Sequence, residues 1–243
     1  MSTFVLIHGG SHGAWCWYKI VPLLESLGHT VVTPDLPGHG RDRTPIRGLT
    51  GAAYLDSVGS ALNPLADKAI LVGHSMGGVT VKAAAERYAD RIAGVAYVAA
   101  DVVAGGQSLA TDPALADILV TLGPHISADT DAETFEIAPE AATRFFYNDC
   151  DALDIALALR LLTPEPTATI TSRIDHTTDR YLALPRLGVI TSEDALLPAD
   201  VQQTLYRRDG ITDTVSLLTG HSPFLSAPGA LAAHLLNFAD RVG

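Results

Sequence analysis

The stretch Ala69-Ile70-Leu71-Val72-Gly73-His74-Ser75-Met76-Gly77 decides the fold of this chain. Its apolar start predicts a buried strand, and residues 76–88 have the spacing of a helix. Gly73, Ser75 and Gly77 therefore form a G-x-S-x-G pattern between a strand and a helix, which is the pattern of a nucleophile elbow. Chance alone would produce it in about one in ten chains of this length, so its position between strand and helix gives the pattern its weight. The elbow predicts that the hydroxyl of Ser75 is exposed on a sharp turn.

Outward from this motif, short apolar runs alternate with helical patterns along most of the chain. Such alternation is typical of a parallel sheet with helices on both faces. The predicted strands are Phe4–His8, Thr30–Asp35, Ala69–Gly73, Ile92–Ala100, Leu187–Thr191 and Thr214–Leu218. The predicted helices between and after them are Trp15–Leu27, Thr50–Leu62, Met76–Tyr88, Pro198–Arg207 and Pro228–Arg241. We therefore predict an α/β fold with about six mostly parallel strands.

The alternation stops between about Gly105 and Tyr181, where the sequence reads as helices and loops without a strand pattern. A helical insertion between two strands of such a sheet is most simply a cap over the ends of the strands. We predict one core made of residues 1–104 and 181–243, with a helical cap of residues 105–180 inserted after the fourth strand.

A serine hydroxyl is a weak nucleophile until a base accepts its proton, and a third group must orient that base. In chains with this elbow, an acid and then a histidine follow later strands. His221 follows the predicted strand Thr214–Leu218, and Asp194 follows the strand that ends near Thr191. The residues between them leave room for one helix and one strand. We therefore predict that Ser75, His221 and Asp194 form a catalytic triad.

Two other carboxylates are alternatives for the acid. Glu193 adjoins Asp194, so a shift of one residue in the loop would exchange the two. Asp101 follows the strand Ile92–Ala100 and ends at the same edge of the sheet. We expect Asp101 to be a residue of the substrate pocket.

The loop after the first strand, His8-Gly9-Gly10-Ser11, is expected to stabilise negative charge on the substrate. Its glycines let the backbone approach the nucleophile, and such sites stabilise a tetrahedral oxyanion with backbone N–H groups. We assign the two donors to Gly10 and Met76. We expect His8 and His74 to bond the nearby backbone rather than a metal, since no Cys-x-x-Cys or His-x-Glu spacing accompanies them. The predicted pocket residues are Gly9, Ser11, Asp101, Leu119, Phe145 and Phe146.

Composition and charge exclude several classes of function. The 243 residues carry a net charge of −11, which argues against nucleic acid or an anionic membrane surface as the main partner. Two cysteines are too few for a disulfide scaffold and suit a reducing compartment. No stretch of about 18 apolar residues is present and no leader pattern follows Met1, so we expect a cytoplasmic protein. We expect a neutral small-molecule substrate and no metal or organic cofactor; exposed cap helices favour a homodimer.

Several blocks of the sequence resemble the α/β-hydrolase family, and within it the branch of plant methylesterases and hydroxynitrile lyases. They are Phe4–Gly10, His12–Lys19, Gly28–Val31, Gly73–Gly78, Gly106–Ser108, Glu193–Asp194 and His221–Leu225. The elbow is shared by the whole superfamily, whereas the His12–Lys19 block is narrower. The resemblance extends over nearly the whole chain and implies the same triad that the spacing predicts.

The branch contains two chemistries, and two positions distinguish them. Resembling lyases carry a threonine directly after the first-strand histidine and a lysine directly after the catalytic histidine, where this chain has Gly9 and Ser222. Both departures favour hydrolysis of a carboxylic ester. Asp101 falls where relatives often have an apolar residue. It keeps open a non-hydrolytic enzyme on the same scaffold, such as a biosynthetic tailoring enzyme, a cyclase or a lyase; a pocket that only binds a ligand is a third hypothesis.

Overall fold

The computed structural model describes residues 1–173 and 179–243. In those residues the chain forms a parallel sheet of six strands in the order β2-β1-β3-β4-β8-β9. The strands of this sheet are β1 Thr3–Ile7, β2 Thr30–Val32, β3 Ala69–His74, β4 Ile92–Val98, β8 Arg186–Thr191 and β9 Asp213–Leu217. All six predicted strands are therefore present, and the prediction of an α/β fold with a mostly parallel sheet is confirmed.

Two strands end two or more residues before their predicted ends, each for a local reason. β2 stops at Val32, because Pro34 has no N–H with which to continue the hydrogen-bonded ladder. β4 stops at Val98, because Ala99 has a φ of +43° and leaves the extended conformation.

Helices cover both faces of the sheet. Neighbouring side chains of a strand point to opposite faces, so each strand contributes to the core on both sides. Val5 and Ile7 pack on one face with helices from the middle of the chain, whereas Phe4 and Leu6 pack on the other face with the first and last helices. The flanking helices are α1 Ile20–Glu25, α2 Gly51–Leu62, α3 Gly77–Arg87, α9 Ala199–Arg208, α10 Pro223–Ser226 and α11 Pro228–Val242.

The helix predicted over Trp15–Leu27 is divided in the structure. A short 3-10 helix covers Ala14–Trp17, and α1 begins only at Ile20. Pro22 lies in the first turn of α1. Backbone N–H groups in that turn have no acceptor within the helix, so proline, which lacks this group, costs no hydrogen bond there. A continuous helix from Trp15 would put that proline in the helix interior.

The segment between β4 and β8 holds short helices, as predicted, and also a small antiparallel sheet, which the sequence analysis missed. Its helices are α4 Ala116–Leu122, α5 Pro139–Phe145, α6 Ala152–Leu161, α7 Thr167–Thr171 and α8 Asp179–Leu182, with 3-10 turns at Pro113–Leu115 and Gly123–His125. Its strands are β5 Ile126–Asp129, β6 Thr134–Ile137 and β7 Glu165–Pro166, paired in the order β5-β6-β7. Strands of two to four residues are too short to show a periodic pattern. Residues 174–178 of the predicted cap lie outside the described residues.

Candidate active site

Ser75 lies on the turn between β3 and α3 in a strained conformation. Its φ is +50°, in the left-handed region that a residue with a side chain rarely adopts. The carbonyl of Ser75 accepts hydrogen bonds from the N–H groups of Gly78, at 2.9 Å, and Asp101, at 3.0 Å. The turn needs glycine after it, because a Cβ atom on Gly77 would lie 2.5 Å from the carbonyl oxygen of His8. The elbow predicted from sequence therefore has the geometry expected of it.

Ser75, His221 and Asp194 are brought together at the carboxyl edge of the sheet. His221 Nε2 lies 3.0 Å from Ser75 Oγ, and His221 Nδ1 lies 2.8 Å from Asp194 Oδ2. His221 follows β9 and Asp194 follows β8, so three loops at one edge supply the three side chains. All three residues are buried, and Ser75 is only 7% exposed, so its hydroxyl is enclosed rather than exposed as the elbow predicted. It faces a cavity that residues of the segment between β4 and β8 cover. Glu193 is exposed, so of the two adjacent carboxylates it is Asp194 that contacts the histidine.

The carboxylate of Asp194 is held by its own loop and by a helix. Its Oδ1 atom accepts from the backbone N–H groups of Leu196, at 2.9 Å, and Leu197, at 2.8 Å. Its Oδ2 atom accepts from the hydroxyl of Thr191, at 2.8 Å. Gln202 of α9 is fully buried and donates to that hydroxyl and to the carbonyl of Leu197, at 2.9 and 2.7 Å. The acid is thus fixed toward the histidine by positioning residues that the sequence analysis did not identify.

The environment of His221 favours its protonated form. Burial by itself lowers the pKa of this ring, but the Asp194 carboxylate and its hydrogen bond outweigh that effect and raise the pKa above its ordinary value of 6.5. The ring of His74 lies 4.8 Å from that of His221, and its Nε2 donates to the carbonyl of His221 at 2.9 Å. Burial lowers the pKa of His74. His74 is therefore a neutral support for the histidine loop.

Two backbone N–H groups lie free beside the nucleophile. Within the described residues, neither Gly10 nor Met76 donates a backbone hydrogen bond. A Cβ atom on Gly10 would lie 2.5 Å from the sulfur of Met76, so the two residues are neighbours. His12 donates from Nδ1 to the carbonyl of Gly10 at 2.7 Å and accepts at Nε2 from the Tyr147 hydroxyl at 2.8 Å. Burial lowers the pKa of His12 to about 4, so the ring is neutral; with its hydrogen on Nδ1, its Nε2 atom accepts from the Tyr147 hydroxyl.

The prediction that His8 and His74 bond the backbone is confirmed. His8 donates from Nδ1 to the carbonyl of Gly9 at 2.8 Å and accepts from the N–H of Leu36 at 3.0 Å. Across residues 1–173 and 179–243, no three His, Cys, Asp or Glu side chains are grouped to hold a metal ion. In the same residues, no helix has the length and apolar character needed to cross a membrane.

A segment of the predicted cap binds the same loop, which the sequence analysis did not anticipate. The backbone N–H of Ser11 donates to the carboxylate of Glu165, and the carbonyl of Ser11 accepts from the N–H of Thr163 at 2.9 Å. Ser11 has a φ of +59°. Both backbone groups of this strained residue are therefore held by residues 163–165. Glu165 has no sequence signal beyond the two prolines beside it, because its partners are distant in the chain.

A cavity of about 90 Å³ lies between Ser75 and His221 on one side and the predicted cap segment on the other. Of the predicted pocket residues, Ser11, Asp101, Leu119 and Phe146 line it, together with Ser75 and His221. The remaining lining is mainly apolar, but it also includes the polar residues His12, His74 and Glu165. Its other members are Gly10, Met76, Leu109, Leu115, Ile118, Leu122, Ile126, Phe135, Ile137, Ile170, Leu196 and Leu197. The pocket is therefore narrow and largely apolar on the side of the predicted cap segment, and two carboxylates, Asp101 and Glu165, face it.

Two predicted pocket residues lie elsewhere. Gly9 lines the adjoining larger cavity of about 720 Å³ instead, although a Cβ atom there would lie 3.0 Å from the Cβ of Ser75. Ser75 and His221 do not line that larger cavity. Phe145 is buried in a separate cluster with Ala141 and Leu196. Phe145 is the last residue of α5 and Phe146 caps the helix directly after it, and adjacent residues of a helical turn point in different directions.

The chain is similar to known proteins over nearly its whole length. The sequence profile described as the alpha/beta hydrolase family matches residues 4–234. Methylesterase 7 of Arabidopsis thaliana is 30% identical over 250 residues, which cover 98% of this chain and 96% of that protein. This match extends over the core and the cap segment alike.

Solved structures show the same fold. A pyrethroid hydrolase from Sphingobium faniae JZ-2 superposes with a TM-score of 0.87 at 27% identity, covering 98% of this chain and 97% of that one. Methylketone synthase I of tomato, in complex with 2-tridecanone, superposes with a TM-score of 0.89 at 24% identity, covering 100% of this chain and 99% of that one. The second likeness concerns the fold alone.

Proposed function

This chain belongs to the alpha/beta hydrolase family, and from that premise we propose that it is a serine hydrolase that cleaves carboxylic esters through an acyl-enzyme on Ser75. The observation that carries the proposal is the hydrogen-bonded chain from Asp194 through His221 to Ser75, with distances of 2.8 and 3.0 Å. Nucleophile, base and orienting acid are thus within the reach that acyl transfer requires.

The site residues act in turn through the two halves of the reaction. Ser75 Oγ attacks the ester carbonyl while His221 Nε2 accepts its proton. The carbonyl oxygen becomes an oxyanion, which the free N–H groups of Gly10 and Met76 stabilise. His221 then passes the proton to the leaving alcohol, and a water molecule activated by His221 releases the acid from Ser75. Asp194 holds the ring in the tautomer with hydrogen on Nδ1 throughout.

The pocket supports a small to medium ester that is largely apolar or neutral. Its walls are mainly leucine, isoleucine and phenylalanine, and no lysine or arginine of the described residues lines it. An anionic substrate would have no cation to pair with there, and the net charge of −11 repels it further. Methylesterase 7 is named for ester cleavage and the pyrethroid hydrolase for hydrolysis, and both names support the same reaction class.

Turnover of an activated ester tests this function. Wild type is expected to hydrolyse p-nitrophenyl acetate, and Ser75→Ala is expected to lose at least a thousandfold in kcat. Glu193→Ala, which removes an exposed carboxylate one residue from the proposed acid, serves as the matched control and is expected to retain the wild-type rate. Equal rates for wild type and Ser75→Ala would overturn the proposal.

The remaining expectations stay predictions. A non-hydrolytic reaction on this scaffold is the alternative, and an intact protein that labels at Ser75 but turns over no ester would favour it. The cytoplasmic location and the homodimer rest on sequence arguments alone.

A further inference from the structure

Asp101 is a buried carboxyl group that faces the catalytic cavity and has no hydrogen-bond partner among the described residues. It is 8% exposed and lines the cavity with Ser75 and His221. Within the described residues, its side chain makes no hydrogen bond or ion pair. Buried polar groups are almost always hydrogen-bonded, and an unpaired carboxyl in apolar surroundings destabilises the fold. A feature of this kind needs an explanation in terms of function.

The position of Asp101 is fixed by the nucleophile. Its backbone N–H donates to the carbonyl of Ser75 at 3.0 Å, directly after β4. The main chain of Asp101 is therefore held directly beside the elbow, and its side chain lines the cavity there. Around it, the cavity walls are the apolar side chains of Leu109, Leu115, Ile118, Leu119, Leu196 and Leu197. Its hydrogen-bond partner must then be supplied by whatever occupies the cavity.

The chemistry of a carboxyl group limits what that partner is. An ionised carboxylate only accepts hydrogen bonds, whereas the protonated group also donates one. Burial raises the pKa of Asp101 to about 7, so both forms are present near neutral pH. A group that donates hydrogen bonds suits the ionised form, and a hydroxyl suits both forms. A carboxylate on the ligand would instead meet the negative charges of Asp101 and Asp194.

We propose that Asp101 is a specificity-determining residue that selects esters carrying a hydrogen-bond donor, a hydroxyl or an ammonium group, close to the scissile bond. The proposal rests on the ester hydrolase activity argued above. It adds one such polar group to the largely apolar ester proposed above, and an ammonium group would also make the substrate cationic.

Matched esters test this selection. The substrates are methyl butanoate, methyl 3-hydroxybutanoate and methyl 3-aminobutanoate, together with propyl acetate and 2-hydroxyethyl acetate for the alcohol side. In wild type, we expect the donor to raise kcat/KM at least tenfold over the plain ester in the acyl or the alcohol series. Asp101→Leu should abolish that ratio, and Glu193→Gln, the exposed carboxylate control, should leave it unchanged. Circular dichroism and p-nitrophenyl acetate turnover check that each variant is folded and active.

Asp101→Asn separates the two kinds of donor. It keeps a hydrogen-bonding group without the charge, so a preference for the hydroxyl should persist and a preference for the ammonium group should disappear. The selection is overturned if the ratio of kcat/KM between donor ester and plain ester in Asp101→Leu stays within twofold of the wild-type ratio. It is also overturned if wild type shows no preference for either donor. In both cases the esterase activity itself stands. Failure of wild type on every ester, p-nitrophenyl acetate included, overturns the proposed function and this inference with it.

Discussion

The Nε2 atom of His39 lies 3.0 Å from a carboxylate oxygen of Glu165, and both side chains are buried. Burial alone would lower the pKa of His39, but the charge of Glu165 and their hydrogen bond raise it above the ordinary 6.5. The same carboxylate oxygen accepts from the N–H of Ser11, next to the proposed oxyanion donor Gly10. Glu165 therefore links the cap segment to the loop that is expected to stabilise the transition state.

Glu165→Ala is expected to lower kcat about tenfold to a hundredfold with a smaller effect on KM, because the loop that carries Gly10 loses its anchor and small displacements weaken catalysis strongly. Glu165→Gln keeps an oxygen that can accept from Ser11 and should recover part of the loss. Steady-state kinetics with p-nitrophenyl acetate measure both, with Glu193→Ala as control. A variant that unfolds at lower temperature but keeps its kcat would show that Glu165 only stabilises the cap.

The pH dependence of turnover follows from His221, which must be neutral to accept the proton of Ser75. Because Asp194, and to a lesser extent Asp101, raise its pKa, kcat/KM should fall as the pH drops through a midpoint above 6.5. Asp101→Asn removes one of the raising charges, so the midpoint should move to lower pH. Rates with an uncharged ester between pH 5 and 9 test this. A midpoint below 6.5 in wild type would contradict the electrostatic description of the site.

Asp101 should also affect stability in a pH-dependent way. Its pKa is raised from 3.8 to about 7, so between these values the folded chain holds a proton that the unfolded chain has released. The free energy of unfolding of wild type should therefore fall, relative to Asp101→Asn, as the pH rises from about 4 to about 7. Above that window we expect the variant to be more stable by about 1 to 3 kcal/mol. Urea unfolding at pH 5 and pH 8 measures the difference. If the free energy of unfolding of wild type instead rises relative to that of the variant as the pH increases, the ionised carboxylate has a stabilising partner and this prediction is wrong.

The core was predictable from sequence because its strands are apolar runs buried on both faces, as in Ala69–His74, and because the elbow marks one strand end without ambiguity. Asp194 was predicted as the acid from its place after a strand, but Glu193 stayed open as an alternative, because the sequence does not show which of two adjacent carboxylates the loop turns inward. Neither Glu165 nor Gln202 was predicted to belong to the site. Each acts through contacts between segments far apart in the chain, and no local pattern records such contacts.

The central claim is that Ser75 is the nucleophile, and covalent labelling tests it most directly. A fluorophosphonate reacts with an activated serine, so wild type should gain one adduct per chain, mapped to Ser75 by peptide mass spectrometry, and should lose its esterase activity in parallel. His221→Ala should label far more slowly, because the base that activates the hydroxyl is gone. An adduct on another residue that accounts for the lost activity, or full esterase activity in chains labelled at Ser75, would contradict the claim.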